Sequence, residues 1–321
     1  MKLLEYVNLE VVKSLKGKDL LNWIEYSSEE VKELLVLAGK LKNLTKNGVF
    51  PPLLAGKTLG LIFEKHSTRT RISFEVGMNH LGGNAMYMHT RDLQIGRGEP
   101  ISDTGKVLSG YLDGIMIRAN SHKMVEELAS AATIPVINGL TDLYHPCQAL
   151  ADLLTIHEIK GFLPGLKLAF VGDGNNVANS LVIVCAHLGV DVSIATPVGF
   201  EMDSNILENA QKIAVRNGSK IVTTTNPMEA VKNADVIYTD VWTSMGQEEE
   251  MAERLLVFEG YQINEQLVQH AKPDYLFLHC LPAHREEEVA TSIIDGPHSA
   301  VFLQAENRLH AQKAILASIL S

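Results

Sequence analysis

The sequence predicts an α/β protein of two domains, each a parallel sheet flanked by helices. Three observations predict it. Short apolar runs that end in a polar residue recur along the chain and alternate with stretches of helical periodicity, the pattern of parallel βαβ units. At 321 residues with 46% hydrophobic residues, the chain can bury more core than one small domain holds. Lys160-Gly161-Phe162-Leu163-Pro164-Gly165, rich in glycine and proline, reads as a linker near the middle.

The elements follow in order. Ser27-Ser28-Glu29-Glu30 reads as a helix start, and Leu34, Leu35, Leu37, Ala38 and Leu41 then fall at helical spacing. Leu59-Gly60-Leu61-Ile62-Phe63 reads as a buried strand, Ile72 to Leu81 as an amphipathic helix, and Gly82-Gly83 as its stop. Gly114 to Arg118 and Pro135 to Asn138 read as strands around a helix from Lys123 to Ala132. A helix from Leu143 to Glu158 leads to a second series: strands at Leu166–Gly172, Val190–Ala195, Ala234–Asp240 and Tyr275–Cys280, with a helix at Asn179–Leu188. This places one domain at residues 1–158 and a second at 159–305. The final helix, Leu309 to Leu320, has a pattern that fits either domain, and residues 306–321 are assigned back to the first.

Composition excludes several classes. A net charge of −10, with no stripe of Lys and Arg among aromatics, opposes nucleic-acid binding. The same field repels small anions, so any anion must be held by groups within a Debye length, about 8–10 Å. Lys65, Arg69 and Arg71 form such a local cluster. No apolar stretch is long enough for a membrane span, no signal-peptide core follows Met1, and Cys147, Cys185 and Cys280 form no C-x-x-C pair. These features point to a cytoplasmic protein in a reducing compartment, with no metal and no cofactor.

Five segments carry chemistry. Ser67-Thr68-Arg69-Thr70-Arg71 sets hydroxyls, guanidiniums and backbone N–H groups at the start of a helix, which is what an oxyanion such as phosphate requires. A serine cap followed by solvated arginines is the plain alternative. His145-Pro146-Cys147-Gln148 puts proline at the first helical position, with His145 beside the cap and Gln148 one turn on. The pair suits a carbonyl and an amide nitrogen, or His145 merely caps. Gly172-Asp173-Gly174-Asn175-Asn176 lies between a strand and a helix and makes the second domain Rossmann-like. A nicotinamide cofactor would need an acid after the next strand, which instead ends Ala195-Thr196-Pro197. Asp240-Val241-Trp242-Thr243-Ser244-Met245-Gly246 and His279-Cys280-Leu281-Pro282 each leave a strand through a polar loop. Gly56-Lys57-Thr58 lacks the earlier glycine of a P-loop, and no H-E-x-x-H pair suggests zinc.

In this order the segments closely resemble the aspartate/ornithine carbamoyltransferase family, from about residue 15 to residue 320. Ser67–Arg71 and His145–Gln148 match its two carbamoyl-phosphate signatures, and Asp240…Ser244-Met245-Gly246 with His279-Cys280-Leu281-Pro282 look like the loops of its ornithine-using branch. The resemblance implies that Ser67, Thr68, Arg69 and Thr70 hold the phosphate, and that Arg118, His145 and Gln148 hold the carbamoyl group, with Arg308 nearby. It also implies that Gln94 reaches a neighbouring subunit's site in a homotrimer, that Asn176, Asp240, Ser244 and Met245 bind ornithine, and that Cys280 and Leu281 line the reaction centre. The catalytic set is then Arg69, Arg118, His145, Cys280 and Arg308. Putrescine or N-acetylornithine as the amine, a nicotinamide oxidoreductase and a non-catalytic binding protein are the alternatives.

The implied reaction carries a constraint of its own. An alkylamine with a pKa of about 10.4 is nearly all protonated at pH 7, and a carboxylate beside it favours the charged form. Asp240 is therefore expected to bind and orient the amine, and the leaving phosphate to receive its proton.

Overall fold

The computed structural model describes residues 7–243 and 251–321. The chain divides into two compact units, Met1–Leu154 with Glu306–Ser321, and Thr155–Ala305. In the first, helices α1 (Leu9–Ser14) and α2 (Ser28–Lys46) precede strand β1 (Thr58–Phe63). Helix α3 (Thr68–His80), β2 (Asn84–His89), α4 (Ile101–Ser109), β3 (Gly114–Arg118), α5 (His122–Ala131), β4 (Val136–Leu140) and α6 (Pro146–Lys160) follow. The predicted signals act locally: Ser27 and Glu30 form a reciprocal capping box on α2, and Gly82 takes φ +78° just past the end of α3.

The four strands are all parallel, in the order β2-β1-β3-β4. Ile62, Ile115, Ile117, Val125, Leu128 and Val136 pack beside them as a buried apolar cluster. From β1 the chain runs through α3 to β2 on one side, while β3 lies on the other. The carboxyl ends of β1 and β3 therefore flank a topological switch point, where an open parallel sheet leaves a crevice. Ser67–Thr70 and Arg118 stand at those two ends.

The second unit holds β5 (Lys167–Val171), α7 (Asn176–His187), β6 (Asp191–Ala195), α8 (Ser204–Arg216), β7 (Ile221–Thr224), α9 (Pro227–Val231) and β8 (Val236–Thr239). Helices α10 (Met251–Val257) and α11 (Glu265–Val268), strand β9 (Leu276–His279) and α12 (Thr291–Ile294) complete it. Its parallel sheet runs β7-β6-β5-β8-β9, with the switch point between β5 and β8. Every residue of α7 from Val177 to His187 is buried, as expected of a helix apolar on nearly all sides. Gly172 at φ +144° and Gly174 make the turn from β5 into α7; a β-carbon on Gly174 would collide with the backbone at Glu201–Met202.

The last helix, α13 (Val301–Ile319), begins in the second unit and ends in the first. The division itself falls at Leu154 and Thr155, inside α6. Residues 160–165 belong to the second unit, where Gly165 N–H donates to Gly189 O at 2.9 Å. Strand β2 has a mixed exposed and half-buried sequence, NAMYMH, and its apolar pattern is too weak to announce a strand. No helix among the described residues is long and apolar enough to cross a membrane.

Candidate functional site

In the first unit the site begins at the cap of α3. Ser67 Oγ accepts the N–H of Thr70 at 3.3 Å, while the earlier N–H groups of the helix have no intrahelical acceptor. Thr70 is buried, and its Oγ1 accepts from two guanidiniums: Arg308 Nη2 at 3.2 Å and, more weakly, Arg118 Nη1 at 3.4 Å. Two donors on one hydroxyl oxygen leave its own proton free to donate to a ligand. Arg118 sits at the carboxyl end of β3, where a register irregularity between Ile117 and Arg118 interrupts the ladder with β4. Arg308 comes from α13, 238 residues beyond Thr70.

Arg308 Nη1 also donates to Gln148 Oε1 at 2.7 Å, and Gln148 Nε2 donates to Asp152 Oδ1 at 2.8 Å. The two bonds fix which way the carboxamide points. Asp152 was not singled out from sequence, although its i, i+4 spacing from Gln148 on a helix was the available signal. His145 lies at the start of α6, its carbonyl accepting from the N–H groups of Gln148 and Ala149 at 3.2 and 3.3 Å. Burial, reinforced by Arg308, Arg118 and Arg69, holds its imidazole well below the usual histidine range. His145 is thus neutral at pH 7, a single N–H donor beside three fixed positive charges. Cys147 points away: its Sγ lies 3.7 Å from Asn138 O, and burial pushes its pKa up to about 12.

Arg71 leaves the cluster. It pairs with Glu75 at 2.9 Å and lies 3.8 Å over the ring of Tyr87. Gln94 opens a short 3-10 turn at Gln94–Arg97 and is exposed, with no hydrogen bond to the Thr70 group.

In the second unit, Asp240 follows β8. Its Oδ2 accepts from Asn175 Nδ2 at 2.8 Å, and its Oδ1 from Cys280 Sγ and from Val241 N–H, both at 2.9 Å. Three neutral donors orient the carboxylate without cancelling its charge, which leaves it fit to hold a cationic amine. Asn175 is the N-cap of α7, accepting from the N–H groups of Val177 and Ala178 with Oδ1 while its amide reaches Asp240. Asn176, which the resemblance implies for ornithine, is the first residue of α7, directly after the Asn175 cap. Ser244 and Met245 lie outside the described residues.

Two supports underlie this cluster. Arg254 Nη1 donates to Asp173 Oδ2 and to Trp242 O, both at 2.7 Å, tying the turn after β5 to the segment after β8. Leu281 takes φ +58°, which costs an L-residue roughly 1–2 kcal/mol, so its neighbours must hold it there. Ligand atoms of Asp240, His279 and Cys280 lie within 4.8 Å of one another, a spacing a metal could bridge. Both nitrogens of His279 are nevertheless engaged, with Leu281 N–H and Glu288.

One cluster gathers arginines, a buried threonine and a neutral histidine, the other an oriented carboxylate with neutral donors, each at the switch point of its own sheet. Residues 18–158 match the carbamoyl-P binding domain, and residues 164–319 the Asp/Orn binding domain, of aspartate/ornithine carbamoyltransferase, and the chain belongs to that family. It is 62% identical over 307 residues to an ornithine carbamoyltransferase of Bacillus subtilis, covering 96% of this chain and 95% of the relative. To that of Halalkalibacterium halodurans it is 61% identical over 311 residues, covering 97% and 98%. The structure of ornithine carbamoyltransferase from Pyrococcus furiosus superimposes with a TM-score of 0.93 at 56% identity, covering 95% of this chain and 98% of that one.

Proposed function

We propose that this chain transfers the carbamoyl group of carbamoyl phosphate to the δ-amine of L-ornithine, giving L-citrulline and phosphate. The observation that carries the reading is the convergence of Arg118 and Arg308 on Thr70, with Arg308 also fixing Gln148. The similarity to ornithine carbamoyltransferases at 56–62% identity supports it. In this reading residues 1–158 with 306–321 form the carbamoyl-phosphate domain and 159–305 the ornithine domain. Ser67, Thr68, Arg69 and Thr70 hold the phosphate through the open end of α3 and its side chains. Arg118, His145, Gln148 and Arg308 hold the carbamoyl group; a neutral His145 donates to its oxygen while the guanidiniums supply charge.

Asp240, with Asn176, Ser244 and Met245, holds ornithine, and Cys280 and Leu281 line the reaction centre. Attack of the neutral amine forms the C–N bond and a tetrahedral oxyanion, which Thr70, Arg118 and His145 stabilise because donors already in place need not reorganise. The C–O bond to phosphate then breaks, Arg69 takes up the growing charge, and the amine proton leaves with phosphate. No cofactor enters these steps. The catalytic set is Arg69, Arg118, His145, Cys280 and Arg308. A homotrimer in the cytoplasm, with Gln94 of one subunit serving the next, completes the reading; strand β2 at the open edge of its sheet, with Met86 exposed on it, supports an interface at that edge.

Colorimetric citrulline formation from ornithine and carbamoyl phosphate tests the reaction, with putrescine and N-acetylornithine as competing amines. Preference for either competitor would replace ornithine in this reading. Sedimentation equilibrium giving a mass other than a multiple of three chains would remove the trimer.

A further inference from the structure

His279 and Glu288, both fully buried, have no part in the reaction just described. The Nδ1 atom of His279 accepts the N–H of Leu281 at 2.9 Å. A backbone amide can only donate, so Nδ1 carries no proton in this bond and the ring proton sits on Nε2. That Nε2 faces Glu288 Oε1 at 3.1 Å. The same carboxylate oxygen accepts the N–H of His284 at 2.6 Å. One atom of Glu288 thereby holds both sides of the Cys280–Ala283 loop: the far side directly, and the near side through the imidazole.

The surroundings fix the pair in turn. His279 N–H donates to Gln304 Oε1 at 2.9 Å, and Gln304 Nε2 donates to the hydroxyl of Tyr238 at 3.1 Å. The Glu288 backbone is pinned by Ile263 N–H, which donates to Glu288 O at 2.9 Å. What the pair steers is Leu281, in its left-handed conformation, and Cys280, whose thiol reaches Asp240. The bond from residue 279 to the N–H two positions on has the form of an Asx turn, here made by an imidazole that a carboxylate keeps in the right tautomer.

We propose that His279 and Glu288 are positioning residues for carbamoyl transfer, setting the Cys280–Leu281 segment through the Leu281 amide without touching substrate. This rests on the functional reading above. Two isosteres divide the bonds of His279. In H279N the amide oxygen takes the place of Nδ1 and keeps the Leu281 bond; in H279Q the amide nitrogen takes the place of Nε2 and keeps only the Glu288 bond. E288Q retains an oxygen for both donors, whereas E288A has none.

Steady-state kinetics and thermal midpoints are measured together on the full-length protein. The expected result is that H279Q and E288A lose at least about tenfold in kcat, as displacement of a reacting group does. H279N and E288Q stay within a few-fold of the parent, and KM for carbamoyl phosphate is unchanged in all four. Activity that follows the thermal midpoints alone, or H279Q matching or exceeding H279N, would overturn the proposal in favour of a purely structural pair. Histidine-selective 15N spectra, with the His279 signals assigned by their loss in H279N, read the tautomer without any turnover. A parent protein that forms no citrulline would refute the functional reading and the positioning role together. An active parent with the proton on Nδ1 would overturn the positioning role alone.

Discussion

The cluster around Thr70 and the cluster around Asp240 occupy equivalent places in two parallel sheets and are built in opposite ways. At the first switch point, Arg69, Arg118 and Arg308 surround a neutral histidine and a doubly contacted threonine. At the second, one carboxylate is held by an amide, a thiol and a backbone N–H. In the proposed function the first recruits an anion against a chain charge of −10 and therefore needs several cations close together. In the same proposal the second binds a cation in a favourable global field, so a single oriented acid suffices. Their supports differ accordingly: the first is capped by helix ends, and the second depends on loops held by Arg254 and by His279 with Glu288.

The largest effect expected on this contrast comes from Arg69→Ala. Arg69 makes no side-chain hydrogen bond within the described structure, so its removal is expected to leave the fold intact. It should lower kcat/KM by roughly 10²–10³-fold, with carbamoyl phosphate binding weakened and ornithine binding spared. Calorimetric titration of carbamoyl phosphate measures this; unchanged affinity would take Arg69 out of the cluster.

Next in size is Asp240→Asn. Three donors face the two carboxylate oxygens, and an amide offers only one oxygen to them, so one donor is left facing an NH₂ group. Ornithine kcat/KM should fall about a hundredfold, and stability by about 1–3 kcal/mol, the usual cost of a buried donor without an acceptor. Denaturant titration beside kinetics checks both. A loss of turnover with unaltered stability would mean that the three donors do not define the site.

A smaller effect concerns acid. Burial pushes His310 down to about 3, with Lys313, Lys42, Lys46 and His80 acting in the same direction. Because the folded pKa lies below the unfolded value of about 6.5, the unfolded chain binds more protons between those limits. No stability is lost to this group above pH 6.5, and progressively more is lost as pH falls toward 3. His310→Gln should therefore shrink the difference in unfolding free energy between pH 7 and pH 5; an unaltered difference would show that His310 is not buried as a neutral ring. His145 titrates in the same sense, so activity at pH 6–8 should carry no limb from it and should rise toward alkaline pH with the amine.

The smallest effect is expected from Arg71→Ala. Its pairing with Glu75 is exposed, and such pairs contribute up to about 1 kcal/mol. Turnover should stay within about twofold of the parent. A large loss would return Arg71 to the anion cluster.

Elements whose signals are local were legible. The capping box at Ser27 and Glu30, the serine cap of α3, the glycine stop at Gly82 and the apolar strands β1, β3, β5, β8 and β9 each carry their cause within a few residues. Strand β2 was not, because its stability comes from pairing with β1 and its own alternation is broken. Asn175 and Asn176 both offer amide groups at a strand's carboxyl end, and only the structure shows that Asn175 is the one that caps α7 and reaches Asp240. The roles expected of Arg308 and Asp240 rest on family resemblance, and that of Gln148 on its spacing from His145 as well, whereas their partners are visible only in three dimensions.

What the sequence determined by itself is the alternation of strands and helices, their caps and the kinds of side chain placed after each strand, because backbone propensity and periodicity act over a turn or a pleat. Only the tertiary structure decided that Arg308 meets Thr70 and Gln148, that Cys280 and Asn175 share Asp240, and that Glu288 sets the tautomer of His279. Most of these partners lie tens to hundreds of residues apart, and no local rule brings such groups together: the parallel sheets do, by delivering distant strand ends to one edge.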